Sequence, residues 1–124
     1  MRLAGKKKWY FPDAEVPPMG ADADVYGHES IIILNPNGRA ARVEITLYWT
    51  NRPPIRGLYA DVAAERVLCV RATARDGLMG VMIPEGEQYA IALISDIPII
   101  VQYGRLDVRQ SNMAFYTTNG YQER

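Results

Sequence analysis

The clearest periodic segment is residues 41–50, in which apolar and polar side chains alternate. Its odd positions carry Ala, Val, Ile, Leu and Trp, whereas its even positions carry Arg, Glu, Thr, Tyr and Thr. Successive side chains of a β-strand point to opposite faces, so this alternation predicts a strand with one buried face. Because Trp49 falls on the buried side of this register, we expect it to pack in the core.

A second strand is predicted at residues 31–34, a run of three isoleucines and one leucine. The run ends at Asn35-Pro36-Asn37-Gly38, where proline presets a turn and the Asn-Gly pair tolerates positive φ. We therefore expect this strand to form a hairpin with the strand at residues 41–50.

Short apolar segments separated by turn residues recur along the rest of the chain. They predict further strands at residues 9–11, 58–62, 66–72, 89–95, 99–106 and 115–121. The breakers between them are Pro17-Pro18, Pro53-Pro54, Asp76-Gly77, Pro84-Glu85-Gly86 and Asp96-Ile97-Pro98. No segment carries a helical apolar stripe over three turns, and no repeat or linker divides the chain. Residues 1–124 are thus predicted to form a single all-β domain, a sandwich, jelly roll or closed barrel.

Composition and charge narrow the possible environments and partners. A chain of 124 residues is long enough to form one hydrophobic core. Its 14 basic and 14 acidic side chains give a net charge of zero, so the chain as a whole has no positive charge that would attract nucleic acid or an anionic membrane. It has no apolar run of about 18 residues and no signal-peptide core after the basic N-terminus, so we expect a cytoplasmic protein without membrane insertion. The single cysteine, Cys69, lies in the apolar stretch Val67–Val70, which predicts a small buried side chain.

Few of the residue combinations used by common enzymes are present. With one histidine, His28, the chain cannot build a zinc site from several His or Cys ligands, and no loop has calcium-binding spacing. A Gly-rich phosphate loop, a nucleophile elbow and an H-E-x-x-H pattern are all missing. We therefore predict a non-enzymatic protein without metal or other cofactor, and a lyase or isomerase in a sandwich pocket is the alternative.

The first polar pair that could bind a ligand is His28-Glu29, directly before the isoleucine strand. Neighbouring side chains of an extended chain point to opposite faces, so His28 and Glu29 should not act together. The imidazole could donate to a ligand at the rim of the sandwich and titrate near neutral pH. Alternatively, His28 or Glu29 fixes the loop before the strand as a paired buried group.

The second polar group follows the strand predicted at residues 99–106. If the strand continues unbroken, Arg105, Asp107 and Arg109 lie on the same face as its odd-numbered apolar residues; a bulge at Gly104 would reverse the alternation. Guanidinium groups suit carboxylates, phosphates or vicinal hydroxyls, and Asp107 could hold them in place. These three charges either bind a ligand or form a salt-bridge network, within the chain or at a subunit interface.

Taken in order, short segments along nearly the whole chain resemble the soluble, Anabaena-type sensory rhodopsin transducer family. The segments are Trp9, Val16-Pro17-Pro18, His28-Glu29, Ile33-Leu34-Asn35, residues 43–48, Val70-Arg71, residues 95–102 and residues 105–110. The resemblance implies a cytoplasmic, jelly-roll-like β-sandwich of about eight strands that assembles into a homotetramer and has no enzymatic activity. The polar pattern of the family falls here on Trp9, His28, Glu29, Asn35, Gln102, Arg105, Asp107 and Arg109, which become the candidate ligand-binding residues.

The resemblance also implies three kinds of partner. The best-known relative acts with a membrane photoreceptor, the wider family has been interpreted as sensors of sugars or related metabolites, and DNA binding has been proposed. Tyr103 stands where the photoreceptor partner has a histidine, and residues 73–81 differ in composition from the family. These two departures bear on the rhodopsin partnership more than on the fold.

Together these observations favour a sensing module that binds a small polar metabolite such as a sugar. Eight Tyr and two Trp against two Phe suit wet interfaces and sugar-like ligands. The binding residues would be His28, Asn35, Arg105, Asp107 and Arg109, with Trp9 as a stacking surface. The alternative is a soluble signalling adaptor that binds a membrane photoreceptor or another receptor through protein contact. A third interpretation, DNA binding through the lysines at residues 6–8, is opposed by the neutral composition.

Overall fold

The structure, a computed structural model, describes residues 3–22, 24–109 and 113–124. Within these ranges the chain forms nine strands and no helix, so no helix there is long and apolar enough to cross a membrane. The strands are β1 (Lys6–Glu15), β2 (His28–Asn35), β3 (Ala41–Trp49), β4 (Ile55–Val62), β5 (Arg66–Thr73), β6 (Gly77–Leu78), β7 (Gln88–Asp107), β8 (Ala114–Asn119) and β9 (Tyr121–Glu123). The predicted all-β, jelly-roll-like sandwich is confirmed.

The 20-residue strand β7 belongs to both sheets of the sandwich. In the first sheet, the first half of β7 pairs with β3 and with β1; β3 then pairs with β4, and β1 with β9. In the second sheet, the second half of β7 pairs with β2 and with β8; β2 then pairs with β5, and β5 with β6. The sequence predicted two strands here, separated at Asp96-Ile97-Pro98. The strand instead runs through this segment, and Pro98, which has no N–H to donate, falls where β7 changes partners.

Strand β3 has the register that its alternation predicts. The side chains of Ala41, Val43, Ile45 and Leu47 are at most 1% exposed. Trp49 is only partly buried; its ring stacks on that of Tyr89, with the ring centroids 5.7 Å apart.

The predicted hairpin between β2 and β3 is wrong. Strand β2 pairs with β5 and β7, whereas β3 pairs with β4 and β7, so the two strands lie in different sheets. The connection between them crosses from one sheet to the other, and Asn35 fixes it. The Asn35 side-chain amide donates to the carbonyl oxygens of Arg39, Val62 and Ala63 at 2.8, 3.1 and 3.2 Å.

The prediction that Cys69 is buried is also wrong, because its side chain is exposed on the outer face of β5. Of the strands in the described part of the chain, only the two-residue β6 lies beyond β5. Cys69 points away from the core, whereas its two neighbours point inward. The same outer face carries three cross-strand neighbours, Leu34, Val67 and Ile100, which are 39%, 63% and 42% exposed. We call these three residues the outer patch.

Candidate functional site: a buried glutamate and an arginine beside a polar cleft

Glu29 is the most completely buried charged side chain of the polar groups that the sequence singled out, with 0% exposure. Its Oε1 atom accepts a hydrogen bond from the Tyr89 hydroxyl at 2.5 Å. Its Oε2 atom accepts one from the Tyr103 hydroxyl and another from the backbone N–H of Glu15 at 3.0 Å. Glu29 therefore has three hydrogen-bond donors, as a buried carboxylate requires.

Four separate chain segments bring these groups together. Glu29 lies opposite Arg105 in the β2–β7 ladder, and Tyr103 precedes Arg105 by two residues on the same face. Tyr89 comes from the first half of β7, and the N–H of Glu15 comes from the end of β1. The two halves of β7 thus contribute one tyrosine each to a single carboxylate.

The loop before β2 holds Glu29 in this position. The Gly27 N–H donates to the carbonyl oxygen of Met19 at 2.9 Å. A Cβ atom at residue 27 would lie 2.0 Å from the carbonyl oxygen of Pro18, so only glycine fits this close approach. Of the two neighbours His28 and Glu29, it is Glu29 that faces inward.

Arg105 covers the buried carboxylate on its outer side. Its Nε atom donates to the Tyr103 hydroxyl at 3.0 Å and lies 3.9 Å from Glu29 Oε2. Its Nη2 atom lies 3.8 Å from a carboxylate oxygen of Asp13. The guanidinium carbon is 5.8 Å from the centre of the Tyr103 ring and 5.2 Å from that of Tyr116, within the range of cation–π attraction.

The face switch predicted for β7 is present. The ladders that β7 forms with β2 and β8 run past Gly104 without a register shift, so there is no bulge at this glycine. Arg105 therefore continues the face of Val101 and Tyr103, and the apolar side of the strand becomes a charged one.

Burial is the main influence on the ionisation of this cluster. It raises the pKa of the Glu29 carboxyl, although the hydrogen bonds from Tyr103, Tyr89 and Glu15 and the charge of Arg105 act to lower this pKa. Burial also raises the pKa of both Tyr89 and Tyr103, and the charge of Glu29 adds to this effect. Both hydroxyls consequently stay protonated and remain donors to the carboxylate.

A cleft of about 420 Å³ opens beside this cluster, between β1 and β8. Its lining residues are Phe11, Pro12, Asp13, Tyr116, Thr117, Thr118 and Asn119. A register shift in the β1–β7 ladder between Phe11 and Ala14 takes Asp13 out of regular pairing, beside the guanidinium of Arg105. The cleft combines aromatic rings with hydroxyl, amide and carboxylate groups, which is the mixture that small polar ligands bind.

Asn35 and Trp9 take structural positions away from this cleft. The hydrogen bonds of Asn35 go to the backbone of the connection between β2 and β3, of the last residue of β4 and of the residue after it. Trp9 is 4% exposed, and its indole N–H donates to the carbonyl oxygens of Lys6 and Ile99 at 3.0 and 3.2 Å. The ring of Trp9 has no free face, so the structure does not support it as a stacking surface.

The remaining predicted residues lie around the cluster but do not contact Glu29. Asp107 and Arg109 pair with each other near the surface, with Arg109 Nε 3.0 and 2.8 Å from the two carboxylate oxygens. Gln102 is exposed on the outer face of β7. His28 is half-buried, and its Nδ1 atom lies 2.9 Å from the carbonyl oxygen of Tyr26. Of the eight candidate residues, the structure brings together Glu29 and Arg105.

Four residues of the site were absent from the sequence-based set: Asp13, Tyr89, Tyr103 and Tyr116. Tyr89 and Tyr103 lie in apolar strand segments, so the sequence gives no reason to expect more of them than packing in the core. Asp13 lies beyond the strand predicted at residues 9–11, whereas the observed strand β1 continues past it to Glu15. Within the described ranges, no group of three His, Cys, Asp or Glu side chains is placed to hold a metal ion.

Comparison with known proteins assigns the chain to a family. A family model described as Anabaena sensory rhodopsin transducer matches residues 4–122. The crystal structure of Thermotoga maritima 1070 is 30% identical, with a TM-score of 0.85 over 98% of this chain and 97% of that chain. The structure of the Anabaena sensory rhodopsin transducer is also 30% identical, with a TM-score of 0.69 over 83% of this chain and 97% of that chain. A search of curated proteins finds no match. The chain belongs to the Anabaena sensory rhodopsin transducer family, as the resemblance of its sequence predicts.

Proposed function

We propose that the chain is a non-enzymatic sensing module that binds a small polar metabolite, such as a sugar, in the cleft beside Arg105. Membership of a transducer family supports a signalling role. The observation that carries the proposal is the placement of Arg105, whose side chain is 14% exposed and is backed by the buried carboxylate of Glu29. A cation fixed in this way at the edge of a cleft is preorganised to receive a ligand.

The lining of the cleft favours a ligand with several hydroxyl groups. Asp13 and Asn119 offer planar polar groups, and Thr117 and Thr118 offer hydroxyls. The ring of Tyr116 adds a flat apolar surface next to the guanidinium. The volume of about 420 Å³ is within the range of small-molecule sites.

A thermal-shift screen of sugars and phosphorylated metabolites tests this proposal. We expect at least one compound to raise the melting temperature, because a ligand that binds only the folded state stabilises it. For a hit, the amide signals of residues 116–119 should shift in NMR spectra of the full chain. The absence of any hit at millimolar concentration would contradict the proposal.

A signalling adaptor is the second candidate function, and the exposure of the last strands favours it. Every residue of β8 and β9 is exposed, including Phe115 and Tyr121 at 65% each. Exposed aromatic side chains are typical of protein interfaces. The partner would be a membrane photoreceptor such as a microbial rhodopsin, or another receptor, and the adaptor would act in the cytoplasm. Loss of binding to a nanodisc-embedded rhodopsin in Phe115→Glu, with metabolite binding intact, would favour this candidate.

DNA is a weaker candidate partner. Lys6, Lys7 and Arg124 line one surface cavity of about 470 Å³ near the chain termini. If this cavity binds nucleic acid, the affinity should fall steeply with salt concentration.

We also propose that the module assembles into a homotetramer and that the outer patch forms one of its interfaces. Because a lysine in an apolar interface loses its hydration, Val67→Lys should produce smaller species in sedimentation-velocity experiments. Val25→Lys is the matched control, since Val25 is also exposed, at 37%, but lies outside the outer patch. A wild-type monomer, or a Val67→Lys variant with unchanged assembly, would show that the outer patch is not a subunit interface.

A further inference from the structure

The guanidinium of Arg105 has hydrogen-bonding capacity that the described residues do not use. Its Nε atom donates to Tyr103 at 3.0 Å. Its one other hydrogen bond within the described ranges joins Nη2 to the carbonyl oxygen of Asp13 and is long, at 3.5 Å. The Asp13 carboxylate, 76% exposed, lies 3.8 Å away, beyond hydrogen-bonding distance. Among residues 3–22, 24–109 and 113–124, no close acceptor occupies the outer side of the fork.

An oxyanion is the acceptor that fits such a fork. Carboxylates and phosphates receive two parallel N–H groups from one guanidinium, and charge makes these hydrogen bonds stronger than neutral ones. The hydrogen bond to the Tyr103 hydroxyl and the nearby ring of Tyr116 restrict the guanidinium, which lowers the entropy lost on binding. The weakly held Asp13 carboxylate is the group that a ligand oxyanion would replace.

The same arginine is also the countercharge of Glu29. Among the described residues, Arg105 is the one cationic side chain within 4.0 Å of the Glu29 carboxylate. Facing Glu29 from the other elements are the Glu15 N–H of β1 and the hydroxyls of Tyr89 and Tyr103 of β7. Asp13 of β1 and Tyr116 of β8 lie against Arg105. A ligand anion hydrogen-bonded to Arg105 would bring a second negative charge closer to the Glu29–Arg105 pair than the Asp13 carboxylate, which is 76% exposed and 3.8 Å from the guanidinium.

We propose that the cleft takes ligands that carry an oxyanion, which pairs with Arg105 in place of Asp13, and that Glu29 takes up a proton from solvent as the ligand binds. This inference rests on the proposed function, because it concerns the same cleft. The incoming charge disfavours a second anion nearby, and Glu29 is already in an environment where burial favours the neutral carboxyl. The proton adds to a carboxylate oxygen of Glu29 and offsets one negative charge of the ligand.

The consequence is a pH dependence of binding with a defined sign. Binding that takes up a proton weakens as the pH rises, by up to about tenfold per pH unit when one full proton is taken up. We expect the dissociation constant of an anion at Arg105 to rise by about threefold or more between pH 6 and pH 8.

The experiment titrates the full chain with sodium sulfate and, separately, sodium acetate and glucose at both pH values. Sulfate represents phosphate-type ligands and does not itself titrate in this range, acetate represents carboxylates, and glucose is the neutral reference. Binding is followed through the Nε–Hε NMR signal of Arg105 and the amide signals of residues 116–119. Glu29→Gln should bind the anion with no pH dependence. His28→Gln, the matched control, should keep the wild-type dependence, because His28 is the residue next to Glu29 but faces the other side of β2.

Each outcome decides between the alternatives. If glucose shifts these NMR signals and neither anion does, the inference is overturned and the proposed function stands. If none of the three compounds shifts them, both are contradicted. An anion whose affinity is equal at pH 6 and pH 8 in the wild type would overturn proton uptake. If Glu29→Gln does not fold, calorimetry of the wild type in two buffers with different ionisation enthalpies measures the proton uptake directly, and a value of zero would overturn it.

Discussion

Replacement of Glu29 by alanine is expected to lower the free energy of unfolding by about 3 kcal/mol or more, the cost typical of removing one partner from a buried ionic cluster. The change leaves the hydroxyls of Tyr89 and Tyr103 without their acceptor and opens a cavity beside Arg105. It also removes the carboxylate that backs a guanidinium of low exposure. Urea denaturation measures the loss, with Glu85→Ala, a change at an exposed glutamate, as the matched control.

The Glu29→Gln variant separates the hydrogen bonds from the charge. Burial raises the folded-state pKa of Glu29 above its unfolded value. The stability that this group contributes is therefore fully present below the unfolded pKa and is lost as the pH rises through the folded pKa. Glu29→Gln lacks this titration, so its stability relative to the wild type should improve with rising pH. If Glu29→Ala changed stability no more than Glu85→Ala, the buried cluster would not stabilise the fold.

Replacement of Asn35 by alanine is expected to cost roughly 3 kcal/mol, since each buried polar group left without a partner costs about 1–3 kcal/mol. The change removes the donor to the carbonyl oxygens of Arg39, Val62 and Ala63 and the acceptor of the Asn37 N–H. These bonds hold the crossing between the two sheets. Ligand affinity of the folded variant should stay unchanged, because Asn35 does not line the cleft.

Thermal or urea unfolding of Asn35→Ala, beside the exposed control Asn51→Ala, tests this structural role. If the variant lost ligand affinity but not stability, the structural role would be contradicted, and Asn35 would be a ligand-binding residue, as the family resemblance implies.

The alternation of apolar and polar residues predicts which face of a strand each side chain occupies, because this depends on one strand at a time. It gives the buried face of β3, and it places His28 and Glu29 on opposite faces of β2. It also places Arg105 on the face of Tyr103, which the unbroken ladders confirm. These statements need only the two-residue period of an extended chain.

Which strands pair with each other, and whether a side chain near the edge of a sheet is buried, depend on distant parts of the chain. Local sequence patterns therefore do not predict them. The turn signal after β2 predicts a hairpin, but hydrogen bonds from Asn35 direct the chain into the other sheet. Cys69 has apolar neighbours and yet points outward near the margin of its sheet. The site itself joins Glu29 to tyrosines 60 and 74 residues away, and no sequence period specifies such contacts.

The long strand β7 explains why the fold places a polar cluster at this point. Its first half supplies Tyr89 and its second half supplies Tyr103 and Arg105, so the cluster lies between the two sheets. The cleft forms where β1 leaves its regular register, next to β8. Arg105 therefore contacts groups on strands of both sheets, Asp13 of β1 and Tyr116 of β8.

The most direct test of the ligand-binding role of Arg105 compares variants of two arginines that are four residues apart in the chain. The dissociation constant of the strongest hit from the thermal-shift screen is measured by calorimetry for the wild type, Arg105→Gln and Arg109→Gln. Arg109 is the matched control, because it is exposed and pairs with Asp107 rather than with Glu29. We predict a loss of about tenfold or more in Arg105→Gln, the value of one charged hydrogen bond, and less than about twofold in Arg109→Gln. Equal affinities in all three proteins would contradict a binding role for Arg105.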